Sequence, residues 1–166
     1  PSSYGEVSVV NGKLTVASQP ATYSGAKRSL SAGIKGKAVS IKPDIPAMGN
    51  NQEAFLTVKD GNNSAQMRVR GTTLNLVTSV NGVLTQSNVA YSATNHAHWR
   101  IAEAMGMVHY QSSLNGSTWT TLASHAHTWS DAAMTAMTWE IGNGSFKNAN
   151  LVSNPSFATA TTGWQA

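Results

Sequence analysis

The 166-residue chain has no cysteine. That excludes a disulfide framework, a thiolate zinc site and a cysteine nucleophile. Charged residues make up only 11%, about half the usual quarter, and Ser, Thr, Asn and Gly fill the gap. No apolar run approaches the roughly 18 residues of a membrane-spanning helix, which speaks against membrane insertion. No G-x-x-x-x-G-K-[ST] loop and no G-x-S-x-G elbow occurs, so neither nucleotide chemistry nor a serine-hydrolase nucleophile has a foothold. With 40% hydrophobic residues, the chain can still bury a core of single-domain size. It begins at Pro1, which reads as a processed chain or an excised piece.

The charge that is present is uneven. Residues 1–70 hold nine basic side chains against four acidic ones, and the remainder two against three. The net +4 suits weak attraction to an anionic polymer. No block of five like charges and no recognition module accompanies it, so nucleic acid is not the expected partner.

Hydrophobic periodicity is two almost throughout. Val39 and Ile41, then Ala54, Leu56 and Val58, then Ala65, Met67 and Val69 each alternate with polar residues. Trp99 and Ile101, Val108 and Tyr110, and Met137, Trp139 and Ile141 repeat the pattern. Asn11-Gly12, Asp60-Gly61, Asn81-Gly82 and Asn115-Gly116 punctuate the runs as hairpin turns. Only Ser130–Ala136 has helix-forming composition, and its shortness predicts a loop turn. Ten to thirteen short strands without helical crossovers predict an all-β, two-sheet antiparallel sandwich.

The alternation also sorts side chains by face. With the apolar phase inward, Arg68, Arg70, His98, Arg100, His109 and Gln111 take the outward phase, and are expected to share one sheet face. A flat ring and a few planar polar groups suit sugar binding. Trp129, in a loop, is the expected exposed stacking ring, whereas Trp99, Trp119 and Trp139 are expected in the core. His96-x-His98 and His125-x-His127 have the spacing for two imidazoles on one face of a strand, and could hold an ion. The alternative is turn capping and ring packing. Asp60 with Asn62 and Asn63 is the sole calcium-like turn, and it is poor in charge. Otherwise no cofactor is expected.

The stretch His96-Ala97-His98-Trp99-Arg100-Ile101, with Glu103, Gly106, Val108, Tyr110 and Ser112-Ser113-Leu114-Asn115-Gly116-Ser117-Thr118-Trp119, resembles the H-x-x-W-R-I … G-x-V-x-W-x-x-S-x-D-G-x-x-W region of concanavalin-A-like (laminin-G-like) jelly-roll domains. Such regions occur in minor tail proteins of bacteriophages. The resemblance covers about residues 4–147, with Asn115 where Asp is usual and Tyr110 where Trp is usual. Asn150-Leu151-Val152-Ser153-Asn154-Pro155-Ser156-Phe157 and Gly163-Trp164 are similar to the opening of a carbohydrate-binding β-sandwich. The expected division is therefore a jelly roll over 1–147 and, over 148–166, a linker or the truncated start of a second module.

The resemblance implies a phage-tail (virion) module serving structure and host attachment. Its implied partners are host cell-surface glycan and other tail-protein domains, with a homotrimer among the assemblies and a metal held by H-x-H pairs on a fibre axis as one variant. A secreted extracellular carbohydrate-binding module and a tail spacer that binds no sugar are the alternatives. The jelly roll also hosts glucanases, which carry paired carboxylates as E-x-D-x-E on one strand. Here the seven carboxylates include no two within four residues of each other, and the expectation was a module without enzymatic activity.

Overall fold

The alternating segments pair into two antiparallel sheets of seven strands each in the computed structural model, which describes residues 2–4, 6–10, 13–17, 23–29, 33–45, 52–145 and 156–158. The first sheet runs, edge to edge, β1 (Ser2–Tyr4), β4 (Tyr23–Ser29), β13 (Thr138–Ser145), β6 (Gln52–Asp60), β7 (Asn63–Arg70), β8 (Thr73–Val80) and β9 (Val83–Ala90). The second runs β12 (Thr120–Ala126), β11 (Met107–Ser113), β10 (His98–Ala104), β5 (Ala38–Asp44), β14 (Ser156–Ala158), β3 (Lys13–Ala17) and β2 (Glu6–Val10). Strands distant in sequence are neighbours within each sheet, β13 between β4 and β6 and β10 beside β5, as in a jelly roll. Three residues of the 148–166 segment thus lie in the second sheet, between β5 and β3; the rest of it, with Trp164, lies outside the described residues, as does the Asn11-Gly12 turn.

Turn chemistry fixes the hairpins. Asn81 and Gly82 take φ of 52° and 88° between β8 and β9, the pair of left-handed residues that a two-residue hairpin turn needs. Met105 and Gly106 do the same between β10 and β11, at φ 53° and 73°, although Met-Gly lacks the Asn-Gly signature. Gly33, at φ 65°, sits where an added Cβ would lie 2.1 Å from the Met134 carbonyl oxygen. The Ser130–Ala136 run forms a short helix, α1 (Asp131–Ala136), rather than the expected loop turn. Its N-cap, Ser130, accepts a 3.2 Å hydrogen bond from the Ala133 N–H through Oγ, satisfying one of the donors that a helix start leaves open.

The core lies between the sheets and follows the apolar phase of each strand. Leu56, Met67, Leu74, Leu76, Trp99 and Ile101 have no exposed surface, and a fully buried side chain of this size contributes about 1.5–3 kcal/mol. Trp139 and Ile141 join the same cluster. The core is also tied by polar groups. The Tyr110 hydroxyl donates to the Val77 carbonyl at 2.5 Å and lies 2.7 Å from Thr78 Oγ1. Thr78 Oγ1 is 3.1 Å from His125 Nδ1, and His125 Nε2 is 3.0 Å from Ser87 Oγ. Burial of the phenol pushes its pKa far up. Asn143 on β13 reaches across to β3, donating to the Val16 carbonyl at 2.8 Å.

Candidate functional site

The outward phase of the first sheet forms a groove of about 460 Å³ that crosses β13, β6, β7, β8 and β9. Along β6 it takes Glu53, Phe55, Thr57 and Lys59, the side chains that alternate with the core residues Ala54, Leu56 and Val58. These positions are unusually covered for an outer face, with Glu53 2%, Phe55 5% and Thr57 6% exposed. Phe55 stands opposite Gly142 of β13, a neighbour without a side chain. β7 adds Gln66 and Arg68, and β13 adds Glu140. Gln66 Nε2 donates to Thr57 Oγ1 at 2.9 Å, which fixes its amide.

Each buried carboxylate in the groove faces a more exposed cation. Lys59 Nζ lies 2.9 Å from Glu140 Oε2, and Arg68 Nε lies 3.6 Å from Glu53 Oε2. The groove therefore pairs N–H donors with carboxylate acceptors beneath them, a combination that matches sugar hydroxyls. Glu53 opposes Gly144 while Glu140 opposes Thr57, so the two acids are offset by four residues, about 13 Å along the strands.

One end of the groove is walled by two hairpin turns locked to each other. Gly82 N–H and Ser79 Oγ both donate to the Asn62 carbonyl, at 3.1 and 2.6 Å, and Asn81 N–H donates to Asn63 Oδ1 at 2.9 Å. In the Asp60, Asn62 and Asn63 turn, a calcium candidate by sequence, the Asn62 carbonyl and Asn63 Oδ1 thus hold the two turns together.

The outward residues expected on one face are divided between opposite surfaces of the sandwich. Arg68 and Arg70 lie on the first sheet, whereas His98, Arg100, His109 and Gln111 lie on the second. On that second face Arg100 Nε donates to Gln111 Oε1 at 2.7 Å, and its guanidinium stacks 4.2 Å over the Trp119 ring. Gln111 Nε2 continues to Thr121 Oγ1 at 3.1 Å, and His109 Nδ1 lies 2.8 Å from Ser124 Oγ. The two tryptophan roles are exchanged. Trp119 is half-buried on the outer face, not in the core. Trp129 is 6% exposed, stacks on His127 and donates its indole N–H to the Ser79 carbonyl at 2.9 Å, so it is no stacking platform.

The histidine pairs do not converge on an ion. His96 is buried, stacks on Tyr91 and accepts from the Ser92 N–H through Nδ1 at 3.1 Å. His98 packs beside Gly116. His125 engages Thr78 and Ser87 as above. His127 accepts from the Trp129 N–H through Nδ1 at 3.2 Å, and its Nε2 lies 3.4 Å from Glu103 Oε1. Burial lowers the pKa of His96, His98 and His125, with Lys42 adding to the effect at His98. Among the described residues no cluster of three or more His, Asp or Glu is placed to hold a metal. Glu103 closes the β10–β11 hairpin, accepting from the Gly36 and Gly106 N–H groups at 2.6 and 3.2 Å. Desolvation raises its pKa, but these two bonds and His127 outweigh it and the net shift is down.

Sequence reasoning missed Glu53, Phe55, Thr57, Lys59, Gln66 and Glu140 as one site. An aromatic residue in the polar phase of β6 was the signal available for it.

No protein-family model and no curated protein matches the chain. Solved structures do. The Crh5 transglycosylase in complex with NAG matches at TM-score 0.65 and 10% identity, over 93% of this chain and 72% of that one. A laminarinase from Flavobacterium sp. UMI-01 matches at TM-score 0.60 and 8% identity, over 91% and 77%. A functionally unknown protein from Saccharomyces cerevisiae matches at TM-score 0.53 and 13% identity, over 94% and 90%. The chain has the concanavalin-A-like jelly-roll fold.

The expectation of no enzymatic activity is overturned. A transglycosylase and a laminarinase share this fold, so the fold carries no exclusion of activity. Carboxylates far apart in sequence, Glu53 and Glu140, enter one groove because β13 pairs with β6.

Proposed function

We propose that this chain engages a carbohydrate chain in the groove of its first sheet, and that it does so as the host-attachment module of a phage tail. The observation that carries the glycan reading is the groove itself, lined by the polar side chains of Gln66, Arg68, Lys59 and Glu140. Planar donors and acceptors converging on a groove are the chemistry that orients sugar hydroxyls. The fold neighbours that handle glycans support the same reading. The virion setting rests on the resemblance of residues 96–122 to phage tail domains. Contacts of this kind are few and solvated, so affinity per domain is about millimolar to micromolar, raised by several copies acting together.

The test is binding of the chain to N-acetylglucosamine oligomers, laminarin and host-envelope polysaccharides on an array, followed by adsorption to host cells. Arg68→Ala should lower the signal and Arg100→Ala, on the opposite surface, should not. Equal loss from both variants, or no binding by the wild type, would refute the groove. Labelling of purified virions with an antibody to this chain tests the tail setting against a secreted extracellular module.

A second reading is favoured by the burial of both carboxylates in the groove. On it, Glu53 or Glu140 acts singly on the bound glycan, cleaving or transferring it. Their offset of about 13 Å is wider than the roughly 5–9.5 Å that a carboxylate pair spans across one glycosidic bond. Product analysis of any bound oligosaccharide, with Glu53→Gln and Glu140→Gln as controls, decides between holding and turnover.

A further inference from the structure

We infer that β9 is a self-association edge, to which a second copy of this chain adds its own β9 antiparallel about a two-fold axis. β9 ends the first sheet, and its eight residues, Val83–Ala90, include no charge, no proline and no glycine. Edge strands are ordinarily shielded by lysine, proline, a bulge or shortness. β9 uses none of these, because it pairs with β8 in unbroken register from Val80↔Val83 to Thr73↔Ala90. Its first two residues, Val83 and Leu84, are 72% and 66% exposed.

The chemistry along the edge identifies the occupant. Gln86 Nε2 donates to Asn75 Oδ1 at 3.2 Å and to Asn88 Oδ1 at 2.7 Å. A row of carboxamides therefore runs from β8 to the last strand and stops there. A fitting partner is an uncharged strand carrying carboxamides on the same face, and β9 is itself such a strand. With Ser87 set opposite the partner's Ser87, Gln86 meets the partner's Asn88 and Leu84 meets the partner's Ala90. The outward phase of one sheet then continues into that of the other, and the amide row crosses the axis. All of the chain's charged side chains lie off this strand, so self-pairing brings no like charges together. The contact is isologous and closes as a dimer. Because Leu84 also lines the groove, pairing sets two grooves on one continuous face.

Sedimentation velocity of the full chain should show a monomer–dimer equilibrium between about 1 and 100 μM. Gln86→Lys with Asn88→Lys sets like charges opposite each other across the axis, and should weaken dimerisation by about tenfold or more with an unchanged circular dichroism spectrum. Leu84→Lys provides a second disruption should the double variant fold poorly. Thr121→Lys, on β12, should leave the dimer intact. A wild-type chain that stays monomeric to about 100 μM overturns the inference, as does a dimer that survives the β9 lysines or dissolves with Thr121→Lys. The outcome is independent of glycan binding.

Discussion

Replacing Tyr110 by Phe removes one oxygen from a chain of hydroxyls that crosses the core. That oxygen donates to the Val77 carbonyl and meets Thr78 Oγ1, which in turn meets His125. The ring itself is unexposed and stacks edge-on against His125, centroids 5.2 Å apart, so Phe keeps the packing and isolates the hydroxyl. The lost bonds contribute about 0.5–1.5 kcal/mol each, and a buried partner left without one costs about 1–3 kcal/mol. Two bonds and one stranded partner give about 2–6 kcal/mol, or about 4–24 °C in Tm for a chain of this length. Differential scanning calorimetry and urea unfolding at pH 7.5 measure it. Combining Tyr110→Phe with Thr78→Val should cost less than the sum of the two single changes, because the second removes a hydroxyl that the first strands. A loss under about 0.5 kcal/mol for Tyr110→Phe, or strict additivity, would refute the reasoning that this network bears stability.

Further outcomes follow from the packing and the titrating groups. Trp139→Ala empties an aromatic core site that is 4% exposed and should cost about 3–5 kcal/mol by urea unfolding. Gly33→Ala forces a Cβ toward the Met134 carbonyl from a left-handed backbone, so it should destabilise by at least about 1–2 kcal/mol and lower Tm. His96, His98 and His125 have folded pKa values below their ordinary one, so the unfolded chain binds more protons in that window. Stability should therefore be complete above about pH 6.5 and fall as pH drops below it. Glu103, also lowered, extends the loss at more acid pH. Equal Tm at pH 7.5 and pH 5 would contradict this.

The faces of the strands were legible because a pleat assigns alternate residues to alternate sides, and the apolar phases of β5, β6, β7, β10, β11 and β13 are the phases that are buried. Which sheet a strand joins was not legible. Arg68 and Arg100 have the same phase, yet β7 follows β6 in the first sheet while β10 docks on β5 in the second. Those partnerships are set by contacts between residues far apart in the chain, and no local pattern carries them. The same limit misplaced the tryptophans. Trp129 sits in a segment with loop composition, but the Ser79 carbonyl and the His127 ring draw it inward. Trp119 fits an apolar phase, but past the register shift at Tyr110/Gln111 it lies beneath Arg100 on the outside. The groove was hidden for a related reason, since Glu53 and Glu140 come onto one face only through the pairing of β6 with β13.

The cross-linked turns at the end of the groove bear on the thermodynamics of any ligand that reaches it. The β6–β7 and β8–β9 loops are joined by three hydrogen bonds through Asn62 and Asn63, which tie each to the other. Free loops would each surrender conformational freedom on closing around a ligand. A wall already ordered by its own backbone has surrendered it during folding, and association avoids that entropic charge. Pre-organisation of this kind is gained without a single ligand contact. Loosening the lock at Asn63 would then weaken binding through a less favourable entropy while leaving the contact enthalpy nearly unchanged.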